Sequence, residues 1–170
     1  TEIYTLSLHD ALPICQNLQS KRPVYPYVFP IRRADKRPKD LAVRAGYYCI
    51  DTFTPLDSNA YVAATSAVDV ALTAADFVLK GRAVAYALCR PPGHHATKNR
   101  AMGFCYLSNI AIAALEALAS GVKRVAVYDF DVHHGNGTEE ILLDHPGTAF
   151  FSIHQSPCFP GTGLAHRGQN

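Results

Sequence analysis

Short apolar runs alternate with helix-like segments along the second half of the chain, and this alternation limits the folds open to it. Apolar runs of buried-strand type occupy residues 83–89, 124–131 and 148–154, and helix-like segments occupy 108–121 and 138–145. The links between them are short, which is typical of strand–helix–strand units. The sequence therefore predicts an α/β fold with a mainly parallel sheet covered by helices on both faces.

The segments before these runs predict two further features. Residues 57–81 predict a helix that begins at an N-cap of Asp57 or Ser58 and ends at Gly81. Residues 16–56 are rich in proline and aromatic residues and show no sustained period. We therefore expect a long ordered loop over that range.

The opening of the chain differs in character from the rest of the sequence. "TEIYTLSLHDALPI" (1–14) resembles translated sequencing-adapter DNA, and we interpret it as a non-native segment. Residues 15–170 are then a partial domain. The alternative is an ordinary N-terminal strand over "EIYTLSL".

Composition indicates a globular protein with a single core. Of the 170 residues, 48% are hydrophobic and 18% are charged, which excludes disorder for most of the chain. Five scattered cysteines without a C-x-x-C pair favour a reducing, cytoplasmic location. We find no signal peptide and no apolar run long enough to span a bilayer, so we expect no membrane partner. The basic stretch 32–44 lacks interleaved aromatic residues, which favours a solvated loop and no nucleic-acid partner.

A polar loop follows each of the three predicted strands. The loops are "RPPGHHA" (90–96), "DFDVHHGNGT" (129–138) and "HQSPCFPGTG" (154–163). In open α/β sheets, ligand sites lie beyond the carboxyl ends of the strands. We therefore expect the three loops to meet at one edge of the sheet and to form the functional site there.

One of these loops carries a pattern suited to a divalent metal. Asp129, Asp131 and His133 are spaced i, i+2, i+4, which places all three side chains on one face of an extended chain. Carboxylate oxygen and imidazole nitrogen together suit zinc or iron(II). The alternative is a cluster of polar side chains that satisfy one another.

The adjacent histidines His94 and His95 suggest proton transfer rather than metal binding. Neighbouring side chains on an extended segment point in opposite directions, so two such histidines seldom bind one ion. An acid/base pair fits them better, with Asp129 and Asn136 available to orient the rings. The alternative is a dipeptide on a surface loop.

Four motifs in this order resemble the histone deacetylase superfamily of zinc amidohydrolases. They are "RPPGHHA", "GFCYLSNIAIAA", "YDFDVHHGNGTEEI" and "SIHQSPCFPGTG", and the match extends over residues 25–170. Upstream, "FPIRR" and "AGYYCIDTFTPL" are similar to bacterial acetylpolyamine amidohydrolases and class II-like deacetylases. The resemblance implies the three-layer arginase–deacetylase fold, truncated at both ends.

The resemblance also implies a role for each matching residue. Asp131 and His133 match two zinc ligands. His95 matches the general base and acid, and His94 matches its electrostatic partner. The residues that match the orienting pair are Asp129 and Asn136.

The substrate pocket and a second ion site are implied in the same way. Phe104 and Phe159 match the two walls of an acyl-lysine tunnel, and Gly103 matches its narrow floor. From the residues alone, the two phenylalanines are equally well explained by core packing. The residues that match a structural potassium site are Asp129, Asp131, His133, Ser152 and Ile153.

The activity implied by the resemblance is zinc-dependent hydrolysis of an acetylated amine, either an acetylpolyamine or an acetyl-lysine. The family's first strand is missing, and its third zinc ligand and oxyanion tyrosine lie beyond residue 170. We therefore expect an incomplete, inactive fragment of a full-length parent, for which a homodimer is one expectation. The alternatives are a non-catalytic acyl-lysine-binding pseudoenzyme and a metal-dependent nuclease built on "HHGNG".

Overall fold

The regular elements follow the predicted alternation over most of the chain. The computed structural model describes residues 22–30 and 36–166. Within those ranges the helices are α1 (Leu41–Tyr47), α2 (Ala60–Leu79), α3 (Asn109–Ala119) and α4 (Asn136–Leu142), and the strands are β1 (Val125–Asp129) and β2 (Thr148–Ser152). The predicted elements from residue 108 onward are thus confirmed, with ends that differ by a few residues.

The two strands are parallel and joined through α4, as predicted for a strand–helix–strand unit. Val125 pairs with Thr148 at one end and Asp129 pairs with Ser152 at the other. Parallel neighbours bring their carboxyl ends to the same edge. The loops after Asp129 and Ser152 therefore start side by side, which places the polar motifs together.

Helix α2 ends as predicted but begins later than predicted. Its N-cap is Asn59, which makes no side-chain capping bond, so the prediction of Asp57 or Ser58 as N-cap is wrong. The Asp57 carboxylate instead accepts the backbone N–H of Asn59 at 2.8 Å, which turns the chain into the helix. At the other end, Gly81 has a φ of 97°, a left-handed conformation that glycine adopts without a steric penalty.

The core beside the sheet lies between β1, α3 and α4. Its buried members are Ala111, Ala114, Val127, Ile141 and Leu142, with Leu115, Val125 and Phe150 packed around them. A second cluster, which includes Val68 and Ile112, joins α2 to α3. Both α3 and α4 contact the strands. One layer of helices therefore covers the face of the sheet that carries Val127.

The opposite face of the sheet is open among the described residues. Tyr128, Phe130 and Phe151 are 58%, 80% and 57% exposed. Side chains alternate between the two faces of a strand, so Tyr128 and Phe151 point away from the covered face. The predicted helical layer on this second face is not found within residues 22–30 and 36–166.

The prediction of a strand over residues 83–89 is wrong. The segment has no strand assignment, and its apolar side chains Val84, Tyr86 and Leu88 are 81%, 86% and 80% exposed. An apolar run becomes a strand only by pairing with a neighbour. Among the described residues no strand pairs with this segment.

The expectation of a loop over 16–56 is wrong in part. Residues 41–47 form α1, where the Asp40 side chain caps the helix by accepting the N–H of Val43 at 3.0 Å. Part of the basic stretch 32–44 therefore belongs to a helix. Val24 and Leu56 also pair through two backbone hydrogen bonds of 2.7 and 2.8 Å. The interpretation of 1–14 as non-native concerns residues outside the described ranges.

Helix α2 is the one described helix long and apolar enough to cross a membrane by length and composition. It has 20 residues and a mean hydropathy of 1.6. One face of it, which carries Ala64, Ala67 and Val68, is buried against the rest of the chain. By length and composition, the expectation that no apolar run could span a bilayer is therefore wrong. Core helices of soluble proteins pass the same test, so the expectation of no membrane partner stays a prediction.

Truncating Leu142 should destabilise the protein by removing packing between α4 and the sheet. Leu142 is 0% exposed, and a Leu→Ala change at a buried site costs about 2–5 kcal/mol. We expect Leu142→Ala to lower the free energy of unfolding by that amount, measured by urea denaturation of the protein that carries this chain. The matched control is Leu164→Ala, because Leu164 is 68% exposed; equal losses in the two variants would contradict the described core.

Candidate active site

The site lies at the edge of the sheet where β1 and β2 end. The backbone N–H of Ile153 donates to the Asp129 carbonyl at 3.0 Å, and the N–H of Gln155 donates to the Val132 carbonyl at 2.9 Å. These bonds continue the pairing of the strands into the two loops. The loops therefore hold a fixed position relative to each other, although neither is regular structure.

His94 is paired with the carboxylate at the end of β1. Its Nδ1 lies 2.9 Å from Asp129 Oδ2, and the two side chains are only 16% and 11% exposed. Its Nε2 lies 3.9 Å from Asp131 Oδ1. His94 is thus paired with Asp129, one of the two residues predicted to orient the histidines, and a carboxylate that binds Nδ1 fixes the orientation of the ring.

His95 is held by the first residue of α4. Its Nδ1 lies 2.8 Å from Asn136 Oδ1, while Asn136 Nδ2 donates to Met102 Sδ. An amide oxygen only accepts hydrogen bonds, so this network assigns the proton of the neutral ring to Nδ1. The other nitrogen, Nε2, is then left with a free lone pair.

The surroundings of His95 keep the ring neutral at physiological pH. The residue is 3% exposed. Burial, followed by the nearby charge of His94, lowers the pKa of His95 from 6.5 to about 4. A neutral imidazole with a free Nε2 can accept a proton.

The N-terminus of α4 positions both histidines. The backbone N–H groups of Gly137 and Thr138 donate to the His94 carbonyl at 2.9 and 3.1 Å. A Cβ on Gly137 would lie 2.2 Å from the Ala96 carbonyl oxygen. Only glycine therefore allows this approach of helix and loop. The rings of His94 and His95 lie beside the contact, with centroids 3.9 Å apart and planes tilted by 38°.

Asp131 and His133 form a second pair beside this one. Their Oδ1 and Nδ1 atoms are 3.1 Å apart, which is near the roughly 3.3 Å expected for two ligands of one tetrahedral zinc ion. Burial raises the pKa of Asp131, but the backbone N–H of His133 and the charges of the histidines lower it by more. The donor set and spacing of this pair fit a zinc ion. Within residues 22–30 and 36–166 no group of three such side chains is arranged to hold a metal.

The route by which these side chains converge differs from the prediction. The strand ends at Asp129, and residues 131–133 are bends rather than extended chain, so the assumption of one extended face is wrong beyond Asp129. The N–H of Asp131 donates to the Asp129 carboxylate at 3.1 Å, and the N–H of His133 donates to Asp131 Oδ1 at 2.8 Å. Local turns thus bring the carboxylates and the imidazole together.

Two phenylalanines and a glycine border the histidines. The Phe159 ring lies 5.0 Å from the His95 ring and 6.1 Å from the His133 ring. Gly103 has a φ of 57°, and a Cβ there would lie 2.3 Å from His95 Cδ2. Phe104 is 57% exposed. We call Gly103, Phe104 and Phe159 the channel mouth, after the tunnel that the resemblance implies. The tunnel itself stays a prediction, and core packing does not account for the exposed ring of Phe104.

The contacts of the residues matched to a potassium site do not by themselves indicate an ion. Asp129 and Ser152 are partners in the sheet. The Ser152 hydroxyl lies 2.9 Å from His154 Nδ1, and the Asp129 carbonyl already accepts the N–H of Ile153. A potassium ion at these residues stays a prediction.

Sequence reasoning missed the second histidine of "HHGNG". His134 is 3% exposed, its Nδ1 lies 2.8 Å from Thr162 Oγ1, and its ring packs on His154 with centroids 4.6 Å apart. It ties the loop that carries Phe159 to the loop after β1. The signal in the sequence was its position directly after His133, because neighbouring side chains point in different directions and His134 was therefore free to bind a different loop. Residues 51–54, which contact the channel mouth, were missed as well because they were treated as loop.

Comparison with known proteins assigns the family. A model of the histone deacetylase domain matches residues 24–170. The chain belongs to the histone deacetylase family. This agrees with the resemblance carried by the four motifs.

Named relatives of this histone deacetylase family member include two kinds of amidohydrolase. Acetylpolyamine amidohydrolase from Mycoplana ramosa is 40% identical over 76% of this chain and 38% of its own length. A histone deacetylase-like amidohydrolase from Pseudomonas aeruginosa is 48% identical over 62% of this chain and 28% of its own length. The chain thus spans about two-fifths or less of the length of these relatives.

A solved relative confirms the fold class. The crystal structure of acetylpolyamine aminohydrolase from Burkholderia pseudomallei matches 91% of this chain and 47% of its own, with a TM-score of 0.78 and 33% identity. The α/β fold of the histone deacetylase family, a parallel sheet with flanking helices, is therefore the fold of this chain, and the described residues show one of the two helical layers predicted for it.

Adding a methyl group at the channel mouth should strain the site. Gly103→Ala and Gly161→Ala both place alanine at positive φ, which costs roughly 1–2 kcal/mol, but no atom lies within 4 Å of the added Cβ at Gly161. We expect Gly103→Ala to lower the free energy of unfolding by clearly more than Gly161→Ala, because its methyl group meets His95. Denaturation of both variants measures this, and a smaller loss at Gly103 would contradict the described contact.

Proposed function

We propose that the protein carrying this chain is a metal-dependent amidohydrolase that removes acetyl groups from acetylated amines, either acetylpolyamines or acetyl-lysine. The observation that carries this proposal is the His95–Asn136 hydrogen bond, which leaves a neutral Nε2 beside the Asp131–His133 pair. A base of this kind next to two metal donors is suited to activating water for attack on an amide. The names of the relatives support the same reaction class.

The metal would be held by Asp131 and His133. Zinc is proposed from their mixed oxygen and nitrogen donors, which also suit iron(II). When bound, such an ion polarises a carbonyl and lowers the pKa of water. The structural potassium ion, held at Asp129, Asp131, His133, Ser152 and Ile153, is part of the same proposal.

In the proposed reaction, residues of this chain would transfer the protons and hold the histidine rings in position. His95 Nε2 accepts a proton from the attacking water and later donates one to the departing amine. Asn136 keeps the Nδ1 proton in place throughout, because its oxygen accepts that hydrogen bond. Asp129 orients His94 at 2.9 Å, and Phe159 shields the His95 ring from water on one side.

The complete site would need more than these residues. Catalytic zinc sites normally have three protein ligands, and the described residues offer the pair Asp131 and His133. The relatives are also more than twice as long as the matched region. We infer that a third ligand and an oxyanion donor come from further sequence, so that residues 1–170 alone are inactive.

A cytoplasmic location is proposed from the state of the cysteines. Burial raises the pKa of Cys49 to about 11 and that of Cys105 to about 12. Both thiols are therefore protonated at neutral pH and behave as small apolar groups. Among the described residues the cysteines Cys49, Cys89, Cys105 and Cys158 are free thiols, which supports the proposal of a reducing compartment. A homodimer of the full-length protein is a further part of this proposal.

Removing the proposed base should lower the rate far more than the affinity. We expect His95→Ala to reduce kcat for N-acetylputrescine or an acetyl-lysine peptide by about 10²–10⁴-fold with little change in KM. The assay uses the zinc-loaded protein that carries this chain. The control is His145→Ala, because His145 is exposed and lies outside the site.

Two outcomes would contradict the proposed function. A near-normal kcat in His95→Ala would show that His95 is not the general base. Binding of the acetyl-lysine peptide by the unmodified protein without any release of acetate would favour the non-catalytic binding module instead.

A further inference from the structure

We propose that Phe53 is a third aromatic wall of the channel mouth and a determinant of substrate specificity. The ring would contact the methylene spacer next to the acetylated nitrogen. This inference rests on the proposed amidohydrolase function and deepens it. It concerns a segment, residues 51–55, that the sequence alone presented as loop.

Three hydrogen bonds connect residues 51–55 to residues 103–106, which include part of the channel mouth. The Gly103 N–H donates to Asp51 Oδ2 at 2.8 Å, and the Phe104 N–H donates to Thr54 Oγ1 at 3.0 Å. The Tyr106 hydroxyl donates to the Pro55 carbonyl. Three successive contacts at nearly constant separation in sequence make the two segments one unit.

The bonds from Asp51 and Thr54 fix an unusual backbone. Gly103 and Phe104 both have positive φ, 57° and 64°, a conformation that is costly for a phenylalanine. Asp51 and Thr54 are 6% and 1% exposed, so their bonds to this turn are shielded from water. Holding the turn in this conformation keeps the Phe104 ring on the outside of the turn, where it faces Phe53.

Asp51 also fixes Phe53 itself. Its Oδ1 accepts the N–H of Phe53 at 3.1 Å while its Oδ2 accepts the N–H of Gly103. One carboxylate thus sets the distance between the ring of Phe53 and the channel floor. A carboxamide at this position would place an NH2 donor where one of the two oxygens lies, facing a backbone N–H, so it could not keep both bonds in this geometry.

The Phe53 ring lies within ring-contact distance of both predicted walls. Its centroid lies 5.2 Å from that of Phe104 and 5.6 Å from that of Phe159, distances typical of paired aromatic rings. Phe159 in turn lies 5.0 Å from His95. In space, the rings of Phe159, Phe53 and Phe104 therefore form a row that runs from the proposed base, His95, to the protein surface.

The exposure of these rings points to a ligand rather than to core packing. Phe53 is 42% exposed and Phe104 is 57% exposed, and neither belongs to a buried cluster. Fixed aromatic surface beside a reactive group is suited to an apolar, extended segment of substrate. The chemistry that fits is a linear methylene chain, with any charged end beyond the rings.

The test compares a long and a short substrate in the zinc-loaded protein that carries this chain. N-hexylacetamide has a methylene chain that reaches the rings, whereas N-methylacetamide has none. We expect Phe53→Ala to raise KM for N-hexylacetamide about tenfold with kcat unchanged, equivalent to about 1.4 kcal/mol of binding. For N-methylacetamide we expect no change in KM.

Two further variants separate the ring from general effects on folding. Phe53→Leu keeps apolar bulk and should raise KM for N-hexylacetamide by less than Phe53→Ala. Phe77→Ala removes another half-exposed phenylalanine, 52% exposed on α2, and should leave both substrates unaffected.

The outcomes distinguish this inference from the function on which it rests. If the unmodified protein hydrolyses neither amide nor any acetylated amine, the proposed function fails and the inference fails with it. If the unmodified protein is active but Phe53→Ala leaves KM for N-hexylacetamide unchanged, or changes both substrates equally, the third wall is overturned and the function stands.

Discussion

The site depends on one close approach of backbone, between Gly137 at the start of α4 and the segment that carries His94 and His95. Two helix N–H groups donate to the His94 carbonyl, satisfying donors that a helix N-terminus otherwise leaves free. The same contact places Asn136 against His95 and keeps His94 within reach of Asp129. Because α4 also packs on the sheet, the histidines are positioned by the core rather than by loop conformation.

The sequence predicted most of the helices and strands that alternate along the chain. Helices α2 and α3 are rich in alanine and are followed by glycine, and both strands are short apolar runs joined through a short helical segment. Their order specified a parallel unit, and hence the edge at which Asp129, Asp131 and His133 meet. Asp129 and Asn136 were also predicted from the sequence as the residues that orient the two histidines, whereas the structure assigns Asp129 to His94 and Asn136 to His95.

The remainder depends on tertiary contacts that no local pattern records. Residues 83–89 resemble a strand by composition, yet a strand exists only where a neighbour supplies hydrogen bonds. Asp51 and Thr54 act on residues about fifty positions away, and nothing in "IDTFTP" identifies those partners. The bends at 131–133 replaced the expected extended chain, because each carboxylate there captures a backbone N–H two residues on.

The central claim is that Asp131 and His133 hold a metal ion beside a neutral His95. Anomalous scattering at the zinc edge, in crystals of the zinc-loaded protein that carries this chain, tests it most directly. The account predicts one ion within about 2.0–2.2 Å of an Asp131 carboxylate oxygen and a His133 ring nitrogen, with His95 Nε2 directed toward the space beside it. An ion bound elsewhere, or bound without these two residues, would contradict the account.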